Sequence, residues 1–277
     1  MSTKVMFHAA LIIFSIVFGG ISQVTGQEIN DVMKKIKWQT GPSVAHLGNI
    51  ADIKVPENCA FADASDTRLL MEAMQNPTGG NELGLILCER DWFALFEFIE
   101  TGYIKDDEKN SLDADKILAA LKEGNDKANK ERKKRGWKPV YLAGWYKPPY
   151  YNTDNHNLEW TINIRGDEEK DSAINHNSRV LGRKGVMNVA LVTGHQTFIQ
   201  DLSDFNSLLT GFKYKGGNRY EEFVKGDKVA AYGLTGLIVG GATAVAAKSG
   251  LLKYLWKILV GVGIAIVAFF RKIFRRR

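Results

Sequence analysis

Four histidines outside the N-terminal apolar stretch, His46, His156, His176 and His195, and two cysteines, Cys59 and Cys88, are the side chains with the widest chemical reach in this chain. A zinc site needs its ligands at set spacings, such as HExxH on a helix or paired C-x-x-C knuckles. None of these histidines stands four residues from another ligand, and two cysteines 29 positions apart make no knuckle, so no metal is expected. Asp106, Asp107 and Glu108 lack the D-x-D-x-D-G spacing of a calcium loop. The segment Gly41-Pro42-Ser43-Val44-Ala45 touches the pattern of a nucleophile elbow but lacks its second glycine and its strand-to-helix turn. Ser43 therefore reads as a loop or strand serine. Glu97, Glu159 and the acids from Asp167 to Asp171 could supply a pair of carboxylates for glycoside hydrolysis, yet no spacing singles out a pair. There is no Walker A loop, so no cofactor and no catalytic residue are expected.

Binding is the chemistry that the strand pattern favours. Residues 174–181 and 186–192, joined by Gly182-Arg183-Lys184-Gly185, pair Leu181 with Val186 and Arg179 with Asn188. Residues 158–165 then pair back with Arg165 opposite Ala173, Thr161 opposite Asn177 and Glu159 opposite Arg179. On this register Leu158, Trp160, Ile162 and Ile164 share a face with Val180, Met187, Val189 and Leu191, and the polar residues collect on the other. A strand at 140–146 precedes them through a Pro148-Pro149 loop. The polar face then presents Tyr141, Trp145, Glu159, Asn177 and Arg179 as a candidate binding surface, and His176 falls on the apolar face as a core histidine.

Around this meander the sequence predicts a helix at 29–37, strands at 43–47 and 51–55, and a helix from an Asp66 cap to about Met74. A hairpin follows from 83–87 and 92–98. The long soluble helix is capped by Ser111 or Asp113, with the stripe Ala114, Ile117, Leu118, Leu121 and Ala128 laid on a sheet. The bases at its end, Lys130 to Arg135, suit a helix C-terminus. The expected class is α+β: an antiparallel meander packed with one long helix, plus C-terminal transmembrane helical segments.

The ends of the chain read as targeting and anchoring. Residues 1–26 have the layout of a secretory signal, with Lys4, an apolar run and Val24-Thr25-Gly26 before Gln27. Residues 229–277 form the expected membrane anchor, as the hairpin 229–247 and 251–270 or as a single span. Gly236 and Gly240 make a small-xxx-small contact step, and Lys253, Trp256 and Lys257 an interfacial belt. Of 37 lysines and arginines, eight lie in 229–277 and one is Lys4, which leaves 28 against all 31 acids in residues 27–228. The basic excess belongs to the anchor, which points to anionic lipid and away from nucleic acid. Residues 27–228 are expected to form one extracytoplasmic domain. In an oxidising compartment Cys59 and Cys88 can pair or stay as two buried thiols, and both readings stand.

The runs GLILCERDWFALFEFIETGYIKDDEKNSLDADKIL, NKERKKRGWKPVYLAGWYKPPYYNTDNHNLEWTI and RYEEFVKGDKVAAYGLTGLIVGGATAVAAKSGLL resemble an uncharacterised bacterial membrane-anchored family, domain of unknown function 2167. The resemblance implies a bacterial inner-membrane protein with its domain in the periplasm, and brings no substrate or catalytic residue. Two functions follow as expectations. One is a non-catalytic envelope module that binds an unknown protein, glycan or lipid; the other is a hydrolase acting on envelope material.

Overall fold

The computed structural model describes residues 23–90, 92–153, 155–166 and 172–239. The chain opens with α1 (Gln23–Met33), then β1 (Gln39–Thr40), β2 (Ser43–Leu47), β3 (Ala51–Val55), β4 (Cys59–Asp63) and α2 (Ala64–Ala73). The hairpin β5 (Glu82–Cys88) and β6 (Phe93–Ile99) leads to α3 (Ala114–Lys134), at 21 residues the longest described helix. Four meandering strands follow: β7 (Tyr141–Asn152), β8 (Asn157–Arg165), β9 (Ser172–Leu181) and β10 (Val186–Thr193). The described chain closes with α4 (Phe198–Leu209), β11 (Lys213–Tyr214) and α5 (Leu234–Val239). This is an α+β fold, a mostly antiparallel sheet with a few helices. One sheet has eight strands in the order β1-β4-β5-β6-β10-β9-β8-β7, and a second has three in the order β11-β3-β2.

Both faces of the large sheet are buried, against different partners. On one face Met187, Val189 and Leu191 of β10 meet Ala45, Leu47 and Ile53 of the small sheet and Phe198, Phe205 and Leu208 of α4. On the other face α1 and α2 set Ile29, Leu70 and Met74 against Ala62 and Leu85. Further along that face Leu158, Trp160 and Ile162 of β8 meet Ile117 of α3 and Leu234, Leu237 and Ile238 of α5. Apolar residues of neighbouring strands thus serve opposite sides of one sheet.

That two-sided burial explains why the expected β8–β9 register is one residue off. The β9–β10 pairing stands as read, with Leu181 opposite Val186 and Arg179 opposite Asn188. Between β8 and β9, however, Arg165 pairs with Ser172, Thr161 with His176 and Glu159 with Ser178, so Arg179 faces Leu158. The expected register put Leu158, Trp160, Ile162 and Ile164 of β8 on the same side as Met187, Val189 and Leu191 of β10. The fold separates them, because β8 feeds the α3–α5 core and β10 the α4 core.

Local capping chemistry accounts for smaller shifts. The cap of α2 is Asp63, whose carboxylate accepts from Ser65 N and Asp66 N, while Asp66 accepts from Lys37 N at 2.8 Å. Asp113 caps α3 by accepting from Lys116 N. Ile117 is buried in the expected stripe, but Ala128 is exposed. The second half of α3 docks through polar groups instead. Asn125 and Asn129 each donate to Val140 O at 2.8 Å, and their amide oxygens accept from Leu142 N and Val140 N. Arg132 completes the row by donating to Lys138 O and Gln75 O, both at 2.7 Å. The helix therefore caps the start of an edge strand whose backbone would otherwise be unpaired. Farther along, β7 runs through the expected Pro148-Pro149 loop, because the two prolines sit in a bulge between the pairs Lys147–Thr161 and Tyr150–Glu159.

The expected boundary at residue 228 also moves. Val229 bridges to Tyr103, Ala230 N donates to Tyr103 O, and Leu234, Leu237 and Ile238 are buried in the domain. Gly236 lies in α5 beside the Tyr232 ring. Gly240, Lys253, Trp256 and Lys257 lie outside the described residues, as does the signal up to residue 22. Among the described residues no helix is long and apolar enough to cross a membrane.

Candidate functional site

The five residues expected to share a binding surface do not share one. Trp145 faces Ile162, donates its indole N–H to Ala114 O at 3.2 Å and packs into the α3–α5 core. Asn177 and Arg179 stand on the same side, opposite Trp160 and Leu158. Glu159 points the other way beside Ser178, and Tyr141 stacks on the Arg165 guanidinium 4.8 Å from its ring. The one-residue slip divides the set, since neighbouring positions on a strand face opposite sides.

Glu159 instead joins a buried polar cluster. The Tyr150 hydroxyl donates to its carboxylate, and His176 Nε2 lies 3.9 Å from the same oxygen. His176 Nδ1 is 2.9 Å from Thr161 Oγ1, and its ring meets Phe205 edge-on at 5.5 Å. Burial holds the imidazole down to about 4, with Lys147 pushing the same way. His176 is thus a neutral core histidine at pH 7, buried as expected and opposite Leu191, but paired with Thr161 on the α4 side and not on the face of Ile162. Burial and Glu159 together raise the Tyr150 phenol, so it acts as a hydrogen-bond donor and supplies no phenolate. The cluster braces β7 against β8 and β9.

On the opposite face a second polar row crosses the sheet, with Glu82 opposite Glu97, Glu97 opposite Asn188, and Asn188 opposite Arg179. Glu82 accepts from Gly79 N at 2.6 Å and Gly80 N at 2.9 Å. Burial raises the Glu97 carboxyl above its usual range, Glu82 adds to this, and Arg179 and Asn188 oppose it. Burial also pushes the Arg179 guanidinium down to about 10, with Glu97 opposing. Its charge is spent on Glu97 and on the Trp160 ring, 4.6 Å from the guanidinium carbon.

A concave feature lies elsewhere, between β2 and the C-terminal end of α4. A groove of about 650 Å³ is walled by Pro42, Val55, Pro56, Trp92 and Leu208, with Val44 half exposed at its edge. The size falls in the range of small-molecule sites, roughly 300–1,000 Å³. Cys59 also lines the groove. It is disulfide-bonded to Cys88, directly opposite on β5, so the two cysteines pair. Gly211 lets α4 end against β3, since a Cβ there would lie 2.9 Å from Lys54 Cβ. Two cations line the groove. Arg90 is held by the buried Asp201 carboxylate at 3.6 Å and by Asp204, and Asp201 in turn accepts from Thr193 Oγ1 at 2.5 Å. Lys54 is exposed and makes no ion pair among the described residues.

Ser43 also lines this groove, with its hydroxyl buried and unpartnered among the described residues. His46, the nearest histidine in sequence, is turned to Asp52 at 2.7 Å and is largely exposed, so it supplies no base to Ser43. Sequence reasoning missed the groove because its walls come from four separated stretches. The only local hint was Pro42 and Pro56 bracketing the small hairpin.

Among solved structures, the cyanobacterial PsbP protein (CyanoP) from Synechocystis sp. PCC 6803 is 12% identical, with a TM-score of 0.37 over 60% of this chain and 86% of that one. The Saccharomyces cerevisiae Ran-binding protein Mog1p is 9% identical, with a TM-score of 0.32 over 63% of this chain and 96% of that one. Likenesses this weak carry no argument about function. No curated protein matches the chain. The family model described as "Protein of unknown function (DUF2167)" matches residues 39–271, and the chain belongs to that family.

Proposed function

We propose that this protein is a non-catalytic binding module of a bacterial envelope, held at the outer face of the inner membrane, which takes its ligand in the groove between β2 and α4. The observation that carries the reading is the groove itself. It is concave and mostly apolar, and Lys54 stands on it with no ion pair among the described residues. The cluster around His176 and the row around Arg179 are by contrast closed in by the sheet's own cores, with His176 Nε2, Arg179 Nε and Asn188 Oδ1 buried and without a hydrogen-bond partner among the described residues. A thermal-shift assay with fractionated envelope extract tests this. The full chain should be stabilised by a small-molecule fraction, and Val44→Trp, which obstructs the groove, should abolish the shift. Equal shifts in both proteins would remove the groove from the reading.

The burial of Leu234, Leu237 and Ile238 supports a single membrane span in this proposal. Ten or so residues of the 229–247 run are spent inside the domain, too many to leave about 20 for a crossing. The 251–270 run has the length to cross alone. A single span places RKIFRRR in the cytoplasm, in accord with the positive-inside tendency. A C-terminal tag should then be protected from protease in spheroplasts, and a digested tag would overturn the single span.

A further inference from the structure

We infer that the segment 223–232, together with the turn at 182–185, is a footing on which the domain rests against the phospholipid surface that its anchor enters. It rests on the single span proposed above and goes beyond it by naming the side of the domain that meets lipid. Six large apolar side chains stand exposed among the described residues, and Val224 and Val229 are the two that lie close together in the chain. They come directly before α5, where the chain leaves for the apolar run at 251–270. Val44, Leu69, Tyr146 and Ile199 are scattered over β2, α2, β7 and α4, as single exposed apolar residues commonly are.

The fold holds the two valines out. Val224 N–H donates to Asp227 Oδ2 at 2.9 Å, and Asp227 N–H donates to Val224 O at 3.1 Å, which closes a tight turn. Arg183 clamps this turn to the one at 182–185 by donating to both Asp227 oxygens, at 2.7 and 2.9 Å. Tyr103 N–H donates to Lys228 O and Ala230 N–H to Tyr103 O, both at 2.8 Å, which fixes Val229 between them. With Asp227 spent on Arg183, the strip between the valines presents Lys225 and Lys228, both exposed and without an ion pair among the described residues. Lys184 joins them from the neighbouring turn. Glu100 and Glu221 border the strip, so it is not cationic enough to single out a polyanion. Apolar tips flanked by lysines fit a phospholipid headgroup layer, where a valine enters the acyl boundary and an ammonium reaches a phosphate.

The path of the chain favours the same partner. α5 packs on Leu181 and Val186, the residues that flank the 182–185 turn. Residues 240–250 can then cover at most about 40 Å before the apolar run begins. The end of the domain that carries the two valines is therefore the end tethered to the bilayer.

The test is photolabelling of the full chain in phosphatidylcholine nanodiscs with a phospholipid that carries a diazirine in its headgroup, followed by peptide mapping. Labels are expected in 182–185 and 223–231, besides those flanking 251–270. α2 and α4, which carry the exposed Leu69 and Ile199, should stay unlabelled. Val224→Asp combined with Val229→Asp should lower labelling of 223–231 by about fivefold or more, because a carboxylate is repelled by phosphate and excluded from the acyl boundary. Val224→Leu combined with Val229→Leu should retain it. Thermal unfolding of both variants separates a lost contact from a lost fold. Equal labelling of α2, α4 and 223–231 in the wild type, or labelling of 223–231 indifferent to the two aspartates, overturns the footing and leaves the span standing. No label around 251–270, in a chain that does not stay with the discs, overturns the span and the footing with it.

Discussion

The Arg179 guanidinium lies over the Trp160 indole, 4.6 Å from the ring centroid, and the two belong to adjacent rows of one sheet face. Glu97, two strands away in the row of Arg179, is the carboxylate that faces this cation. Asn188 stands between the two charges, so they act on each other at a distance, and the Trp160 ring is the group in direct contact with the cation. Arg179→Met should cost about 1 to 2 kcal/mol, because the Trp160 contact is lost and the buried Glu97 loses the charge that opposes its desolvation. Glu97→Gln added to it should recover at least half. Urea unfolding of the two singles and the double mutant measures the coupling, and strict additivity would remove the pair from the account.

His176 gives a pH dependence with a definite sign. Its folded-state value is near 4, below the ordinary 6.5, so between those values the unfolded chain binds more protons. Stability from this residue is present in full above about pH 6.5 and is lost as pH falls towards 4, by at most about 3 kcal/mol. His176→Gln should flatten the stability curve across that window. Parallel curves for wild type and variant, followed by urea unfolding at half-unit pH steps, would show that another group carries the slope.

The Cys59–Cys88 bond closes a loop with a sequence separation of 29. By the chain-entropy estimate its removal should cost about 3 to 4 kcal/mol. The double Cys→Ala variant, compared with wild type in urea without reductant, measures this. Because Cys59 also walls the groove, the same variant should weaken stabilisation by the groove's ligand.

Asn125 and Asn129 make four hydrogen bonds to three backbone groups, Val140 O, Val140 N and Leu142 N, at the start of β7. Replacing both by alanine leaves Val140 and Leu142 amides unpaired and should cost about 2 to 4 kcal/mol. An uncovered edge also invites pairing with a second chain. Sedimentation at rising concentration should therefore show self-association in the double variant and not in wild type.

Much of the local structure was legible from residues close in sequence. The strands Ser43–Leu47 and Ala51–Val55, the Asp113 cap, and the pairing of Leu181 with Val186 and Arg179 with Asn188 all appear as read. A short glycine-bounded turn leaves β9 and β10 one good register, and a cap is a matter of three or four residues. The family was legible too, because its runs are contiguous.

Only the tertiary structure decided which of two cores each apolar face would meet. Alternation says that Leu158, Trp160 and Ile162 share a side, but not whether that side is shared with Met187 and Val189. With both faces buried and a long connection before β9, the sequence pattern is satisfied equally well one residue apart. The same limit hid the partners of Arg179 and the seat of Leu234 to Val239 inside the domain. It hid the groove as well, because Pro42, Lys54, Trp92 and Leu208 meet only when two sheets and a helix have closed around them.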